Sequence, residues 1–213
     1  MHNIGYIVIR KTTEKMGRIA TAVLSSLSPY SQSRFHNTAK LNKEIPEDYE
    51  ERTWRERLHI DDQGNVYIPP MALKNCISEA AKFLSIQIPG KGKATYTKHF
   101  EAGVMVLDPM PLKTQEDAPI HKEAVRGDWI FTPIDGVKGG GKRVQKCYPV
   151  VDAWRGTAEF LIVDDTITEK VFLQHLEQAG SLIGLGRFRV RNGGYYGRFR
   201  IERLDWQDMS LAA

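Results

Sequence analysis

The sequence predicts an α+β fold, a ferredoxin-like or RRM-type sandwich with the element order βαββαβ and two large loop insertions. Three observations predict it: short segments rich in β-branched and aromatic residues, two segments with apolar residues at helical spacing, and the order in which they alternate along 213 residues. Two helices would cover one face of a four-stranded sheet and leave the other face open. Such a face commonly binds RNA, although the same fold carries many unrelated activities.

The first half of the chain supplies one strand, a long insertion and one helix. The segment Ile4–Arg10, "IGYIVIR", has the composition of a buried strand, and we expect an insertion at about residues 35–65 after it. Residues 66–68 suit a short extended segment, and Pro69 and Pro70 then suit the start of a helix. The apolar face of that helix comprises Leu73, Ile77, Ala80, Ala81 and Leu84.

The second half supplies three strands, a hairpin and the other helix. The apolar run "AGVMVLD" and the later segment "TAEFLIVDD" predict two strands. Between them we expect a hairpin insertion at residues 109–150, whose tip "DGVKGGGKR" contains three successive glycines. A helix begins at Thr168 as its N-cap and ends at Gly180, and "YYGRFRIERLDW" closes the chain as a strand. The buried face of this helix comprises Phe172, Leu176 and Ala179.

Bulk composition indicates one globular domain, residues 1–213. A hydrophobic content of 41% and a charged content of 26% are typical of a folded chain that is not a membrane protein. Cys76 and Cys147 are too few and too far apart for a disulfide framework or a metal motif, so we expect free thiols and no metal site. The sequence contains no apolar run of the length of a membrane span or signal peptide, and we expect a cytoplasmic protein without a membrane partner.

Positive charge is concentrated in three segments. The net charge is only +4, but residues 89–99 carry three lysines and no acid, and residues 136–146 carry four basic residues and no acid. Residues 184–206, "GLGRFRVRNGGYYGRFRIERLDW", carry six arginines and five glycines. Arginine offers planar bidentate donors, and glycine lets backbone N–H groups approach a phosphate closely. The alternative is an arginine-rich hairpin that is merely solvated. The cations that we expect to contact RNA are Lys91, Lys93, Lys98, Lys138, Lys142, Arg143, Arg187, Arg189, Arg191 and Arg198.

Other side chains near these segments extend the candidate site. Tyr195 and Tyr196 could stack on bases, whereas the alternation of the last strand places Phe199 in the core. Ser31, Ser33 and Arg34 could bond phosphate or ribose at the same edge of the sheet. Lys74 could reach a phosphate at the helix N-terminus, or be an ordinary exposed helical lysine.

Three motifs together resemble the RAMP superfamily of CRISPR-associated proteins. They are "LSPYSQSRF", "GNVYIPPMALKNCISEAAKFL" at the first helix, and "GLGRFRVRNGGYYGRFRIE" before the last strand. The second is similar to the family's "yIPgssLKgalR" element, with Pro70 and Met71 in place of the Gly-Ser pair and Asn75 in place of a glycine. Within the superfamily the chain looks most like the Cas-seven type, the repeated backbone subunit that coats guide RNA.

This resemblance implies a right-hand-like subunit. It would have an RRM palm, a finger-like excursion at 35–65 or 90–99, and a thumb hairpin at 135–148. Copies would polymerise along single-stranded guide RNA beside other effector subunits, without sequence preference and without a cofactor.

Catalysis is the competing class of function, because RAMP relatives include endoribonucleases that process CRISPR RNA. His36 and His99 lie in segments expected to face RNA and could act as general acid or base. Asp48, Asp61 and Asp62 precede the Ile-Pro-Pro element, where relatives carry a cutting aspartate, but the surrounding sequence favours turns. We therefore expect no catalytic residue. A free-standing RAMP-like decoy that joins a partner's filament is the third alternative.

Overall fold

The computed structural model describes residues 15–133 and 141–210. The strands are β1 (Lys15–Ser26), β2 (Tyr30–Ser31), β3 (Tyr67–Ile68), β4 (Val104–Val106), β5 (Met110–Pro111), β6 (Arg126–Pro133), β7 (Arg143–Val151), β8 (Arg155–Ile162) and β9 (Phe199–Ser210). The α-helices are α1 (Pro46–Thr53), α2 (Pro70–Leu84), α3 (Thr97–Gly103) and α4 (Glu169–Gln178). A π-helical turn, Ala179–Ile183, continues α4, and short 3-10 turns lie at Trp54–Arg57, Lys122–Ala124 and Val190–Asn192.

The central sheet confirms the predicted fold class. It contains four antiparallel strands in the order β4-β8-β1-β9. Along the chain these strands and the two long helices occur as β1, α2, β4, β8, α4, β9, which is the βαββαβ order. Pairing brings Ala22 of β1 opposite Ala158 of β8 and Leu204 of β9.

The core lies between this sheet and the helices. Ala22, Ala158 and Phe160 are completely or almost completely buried on the sheet face that α2 and α4 cover. The Phe160 ring packs edge-on against Phe172 of α4, with centroids 5.1 Å apart. The predicted apolar face of α2 is also buried, except for half-buried Leu84. Removing one such buried aromatic ring typically costs about 3–5 kcal/mol.

The predicted N-terminal end of α4 is correct, and the predicted C-terminal end is wrong. Thr168 is the N-cap, and its hydroxyl accepts a hydrogen bond from the N–H of Val171. Gly180 does not stop the helix, because the π-helical turn continues to Ile183. A Cβ at Gly180 would collide with the backbone oxygen of Phe199, so the close approach of β9 explains the glycine.

The first described strand of the sheet was not predicted. The predicted strand at Ile4–Arg10 lies outside the described residues, and the first described strand is β1, a segment to which the sequence pattern assigned no element. The reason is packing: Ala20, Ala22 and Leu24 alternate into the core, but small alanines give a weak sequence signal for a strand.

Two insertions pack against each other beside the central sheet. The hairpin β6–β7 forms within the predicted insertion, with β2 on its other edge, whereas the glycine tip at 134–140 lies outside the described residues. The first insertion contains α1, and Glu50 accepts hydrogen bonds from the Cys147 N–H and pairs with buried Arg57 at 2.7 Å. Arg57 also donates to the Cys147 carbonyl, so both members of this buried ion pair hold the first insertion against β7.

Both cysteines are free and buried, as expected of structural thiols. No helix in the described parts of the chain has the length and apolarity needed to cross a bilayer.

Candidate nucleic-acid interface

The glycine loop, residues 184–198, connects the π-helical turn to β9 and lies against β2. The Arg187 N–H donates to the Ser31 carbonyl at 2.8 Å, and the Gly197 N–H donates to the Pro29 carbonyl at 2.7 Å. Gly186 has φ +73°, and a Cβ there would collide with the Ser31 carbonyl oxygen. The glycines therefore let the loop pack on β2, which brings the "SPYSQSR" segment and the arginine loop together as the sequence suggested.

Arg187 is the arginine of this loop that faces the hairpin. Its guanidinium carbon lies 3.2 Å from the ring centroid of Tyr148 on β7 and 3.7 Å from that of Phe188. Burial lowers the pKa of Arg187, and the nearby Arg57 contributes in the same direction. Stacking leaves the edge of a guanidinium free to donate hydrogen bonds to a bidentate acceptor such as phosphate.

Further basic side chains surround this stack. Burial, then Arg57 and Lys146, lower the pKa of His36, and burial followed by Arg34 lowers the pKa of His59. Glu50 pairs with Arg57, and Asp128 lies within electrostatic reach of Arg187, so the charge is partly compensated. We name this group the basic cluster: Arg34, His36, Arg57, His59, Lys146 and Arg187.

A cavity of about 330 Å³ opens between the basic cluster and the start of α2. Ser33, His59 and Arg187 line it. No side chain caps α2 at its N-cap Pro69, and the first turn of α2 contains no acid. Pro70 has no N–H and the Ala72 N–H donates to the Pro69 carbonyl, so it is the dipole of α2 that favours an anion, such as a phosphate, in this cavity.

Two predicted cations of the glycine loop are held by a carboxylate. Arg189 Nη2 lies 2.8 Å from Glu79 Oε2 on α2, and Arg191 Nε lies 3.4 Å from Glu79 Oε1. Arg191 also lies over the Phe83 ring, at 4.8 Å. Two guanidinium groups share one carboxylate, so the group keeps a net positive charge along α2, smaller than the sequence suggests.

The other three candidate residues of the glycine loop lie in different environments. Arg198 is exposed, and its Nε donates to the Ser181 carbonyl. The Tyr196 hydroxyl hydrogen-bonds Asp128 of β6 at 2.8 Å, which fastens the loop to the hairpin. Tyr195 is 64% exposed and has the access that a stacking residue needs.

Ser31 and Lys74 are placed less favourably for an RNA contact. Ser31 is completely buried, and its hydroxyl has no hydrogen-bond partner among the described residues. Lys74 Nζ donates to the carbonyls of Phe100 and Glu101 at the end of α3, at 2.5 and 2.9 Å. Burial lowers the pKa of Lys74. Ser33 and Arg34, in contrast, are exposed beside the cavity.

The lysine segments are not gathered at the basic cluster. Lys91 and Lys93 are exposed in the turn after α2, about 22 Å along a 15-residue helix from the cavity. Lys98 is exposed on α3. Lys142 and Arg143 are exposed where the hairpin leaves its tip, and Lys138 lies outside the described residues.

Sequence reasoning missed the aromatic side chains of the hairpin. Tyr148 supports Arg187, and Trp129 and Phe131 are exposed on β6. The signal was present, because Trp129 and Phe131 are two residues apart in a predicted strand and must share a face. Tyr148 gave no such signal, since its partner is 39 residues away.

The open face of the sheet is a poor platform for RNA. Met105, Glu159 and Asp205 lie on this face, whereas Phe199 is buried and Trp206 packs against Phe172 on the helix side. The cations at one end of the face, Lys113, Arg155 and Arg203, are each paired with a carboxylate. Ion-paired cations and carboxylates attract phosphates weakly, and aliphatic groups do not stack on bases.

The candidate catalytic histidines lie apart. His36 belongs to the basic cluster, while His99 Nδ1 lies 2.6 Å from Asp164 Oδ2 beside α3. Within residues 15–133 and 141–210, no group of three or more His, Cys, Asp or Glu side chains could hold a metal ion.

Comparison with known proteins supports the fold. No protein-family model matches the chain, and neither does any curated protein sequence. Fifty-nine chains of solved structures match it. One belongs to the "Cryo-EM structure of the Type III-B Cmr-beta bound to cognate target RNA", with 12% identity, a TM-score of 0.53, and coverage of 90% of this chain and 61% of that chain. This chain therefore spans about three fifths of that neighbour, and the likeness is one of fold.

Proposed function

We propose that the protein binds single-stranded RNA through the glycine loop and the basic cluster, as a repeated backbone subunit of an RNA-guided CRISPR effector complex. The observation that carries the proposal is Arg187, stacked between Tyr148 and Phe188 beside an uncapped helix N-terminus. A stacked guanidinium, the positive end of a helix dipole and surrounding cations suit a phosphodiester chain. None of these groups reads a base edge, so the binding is independent of sequence.

The assembly part of the proposal rests on two supports. The three motifs resemble the guide-coating RAMP subunits, and a solved neighbour of similar fold belongs to a Type III-B Cmr-beta structure bound to cognate target RNA. Copies of this chain would lie side by side along guide RNA with other effector subunits.

A salt titration tests the proposed function. Each phosphate contact on a single strand steepens the plot of log affinity against log salt by about 0.7. We expect Arg187→Glu and Lys146→Glu to weaken binding of a labelled oligouridine and to flatten this slope, measured by fluorescence anisotropy. Lys170→Glu, an exposed cation on α4, makes the same charge change and should weaken binding much less. Equal losses in all three variants, or no salt dependence, would contradict the proposal.

An endoribonuclease of the same superfamily is the second candidate, because His36 lies within the basic cluster. Incubation with labelled CRISPR repeat RNA distinguishes the two functions. Cleavage that His36→Ala abolishes and His99→Ala preserves would assign catalysis to this site; intact RNA supports the binding function.

A further inference from the structure

The two faces of the hairpin have different surroundings. Asp128 and Tyr148 are paired across β6 and β7, and they contact Tyr196 and Arg187 of the glycine loop. Trp129 and Phe131 alternate with Asp128, so their side chains lie on the opposite face. The basic cluster therefore does not use them.

This second face carries exposed aromatic rings. Trp129 is 42% exposed and Phe131 is 65% exposed. Residues two apart in a strand lie about 7 Å apart, which is about twice the 3.4 Å spacing of stacked bases. The pair is therefore spaced to hold one base between the rings, or one base on each.

Cations lie at both ends of the aromatic pair. Arg143 is paired with Pro133, on the same face beyond Phe131, and it is exposed. At the other end the Arg55 guanidinium lies 4.1 Å from the Trp54 ring, which covers Gly127 of β6. Glu123 lies 3.7 Å from Arg55 and partly offsets its charge.

The two strands of the hairpin themselves carry few acidic side chains. Asp128 is the single acid in the paired residues 126–133 and 143–150, and it points to the other face. An aromatic pair flanked by cations matches the alternating bases and phosphates of a single strand better than it matches an apolar protein partner.

We propose that Trp129 and Phe131 form a base-stacking site for single-stranded RNA on the face of the hairpin opposite the basic cluster. This inference rests on the proposed function, but it adds a different contact: the basic cluster binds phosphates, and this site binds bases. It therefore makes binding depend on the presence of bases, and not on their identity.

The test compares oligouridine with a base-free sugar-phosphate oligomer of the same length. Stacking on one ring typically changes affinity by about 5- to 150-fold. We expect the unmodified protein to prefer oligouridine within this range, and Trp129→Ala or Phe131→Ala to lose most of the preference while keeping their salt dependence. Met105→Ala, at a side chain that is 52% exposed on the open face of the sheet, should keep the preference. Both hairpin rings are well exposed, so these variants should remain folded, and circular dichroism checks this.

Tryptophan emission gives an independent readout. Trp54 and Trp154 are buried and Trp206 packs against Phe172 on the helix side of the sheet, so oligouridine should quench chiefly Trp129, and Trp129→Phe should abolish most of the quenching. An unchanged preference in both alanine variants, or variants that alter self-association instead, would overturn the stacking site and leave phosphate binding intact. Absence of binding to both oligomers would overturn the proposed function as well.

Discussion

Replacement of Glu79 by glutamine tests how the arginines of the glycine loop act. Glu79 holds Arg189 and Arg191 at 2.8 and 3.4 Å, and its side chain is 28% exposed. If RNA phosphates compete with this carboxylate, Glu79→Gln removes the competitor without changing the shape of the side chain. Binding of RNA should therefore become tighter when an acid is neutralised on α2.

The expected size follows from the two ion pairs. Each partly exposed ion pair contributes about 0–1 kcal/mol. Releasing both arginines from Glu79 should therefore strengthen RNA binding by about 1 kcal/mol, which is about fivefold in affinity. One added net positive charge should also steepen the salt slope by about 0.7.

Fluorescence anisotropy with oligouridine at about 50–300 mM salt, a range of roughly 0.8 decades in salt concentration, measures both quantities. Glu159→Gln on the open sheet face is the charge-matched control and should change affinity much less. If Glu79→Gln binds RNA as the unmodified protein does, or more weakly, the two arginines do not reach phosphate and the loop contributes through Arg187 alone.

Three further predictions concern stability and loop geometry. Arg57→Met leaves Glu50 buried without its partner and should lower the free energy of unfolding, measured by urea titration, by about 3–5 kcal/mol. Arg126→Gln, which removes one member of an exposed ion pair, should lower it by less than about 1 kcal/mol. Burial lowers the pKa of His175, so the folded protein holds this side chain neutral at a pH where the unfolded chain already protonates it. The stability that this provides is complete above the ordinary pKa of about 6.5 and falls as the pH drops below it. His175→Phe should therefore reduce the difference in urea midpoint between about pH 7.5 and pH 5, and an unchanged difference would assign the effect to other groups. Gly186→Ala, at φ +73° against the carbonyl of β2, should displace the glycine loop and weaken RNA binding more than it lowers the melting temperature.

The fold could largely be predicted because its signals are local. Apolar spacing in α2, the Thr168 cap and the alternation of buried residues in β8 each depend on neighbours within a few residues. The strand β1 could not be predicted, because its alanines become buried only when the sheet packs against α2 and α4.

The site was predicted in composition but not in arrangement. The sequence placed Arg187, Ser33 and Arg34 in one candidate region, and the structure brings them to one cavity or its edge. It could not distinguish stacked Arg187 from carboxylate-bound Arg189, because the partners Tyr148 and Glu79 come from distant parts of the chain.

By itself the sequence determined the order of strands and helices, the glycine backbone of the loop and its excess of arginine. Tertiary structure alone decided which of those arginines face a partner, which are neutralised from α2, and where aromatic rings support or flank them. The physical reason is that hydrophobic periodicity can be recognised within a few successive residues, whereas electrostatic pairing and ring stacking depend on distances between residues that only folding brings together.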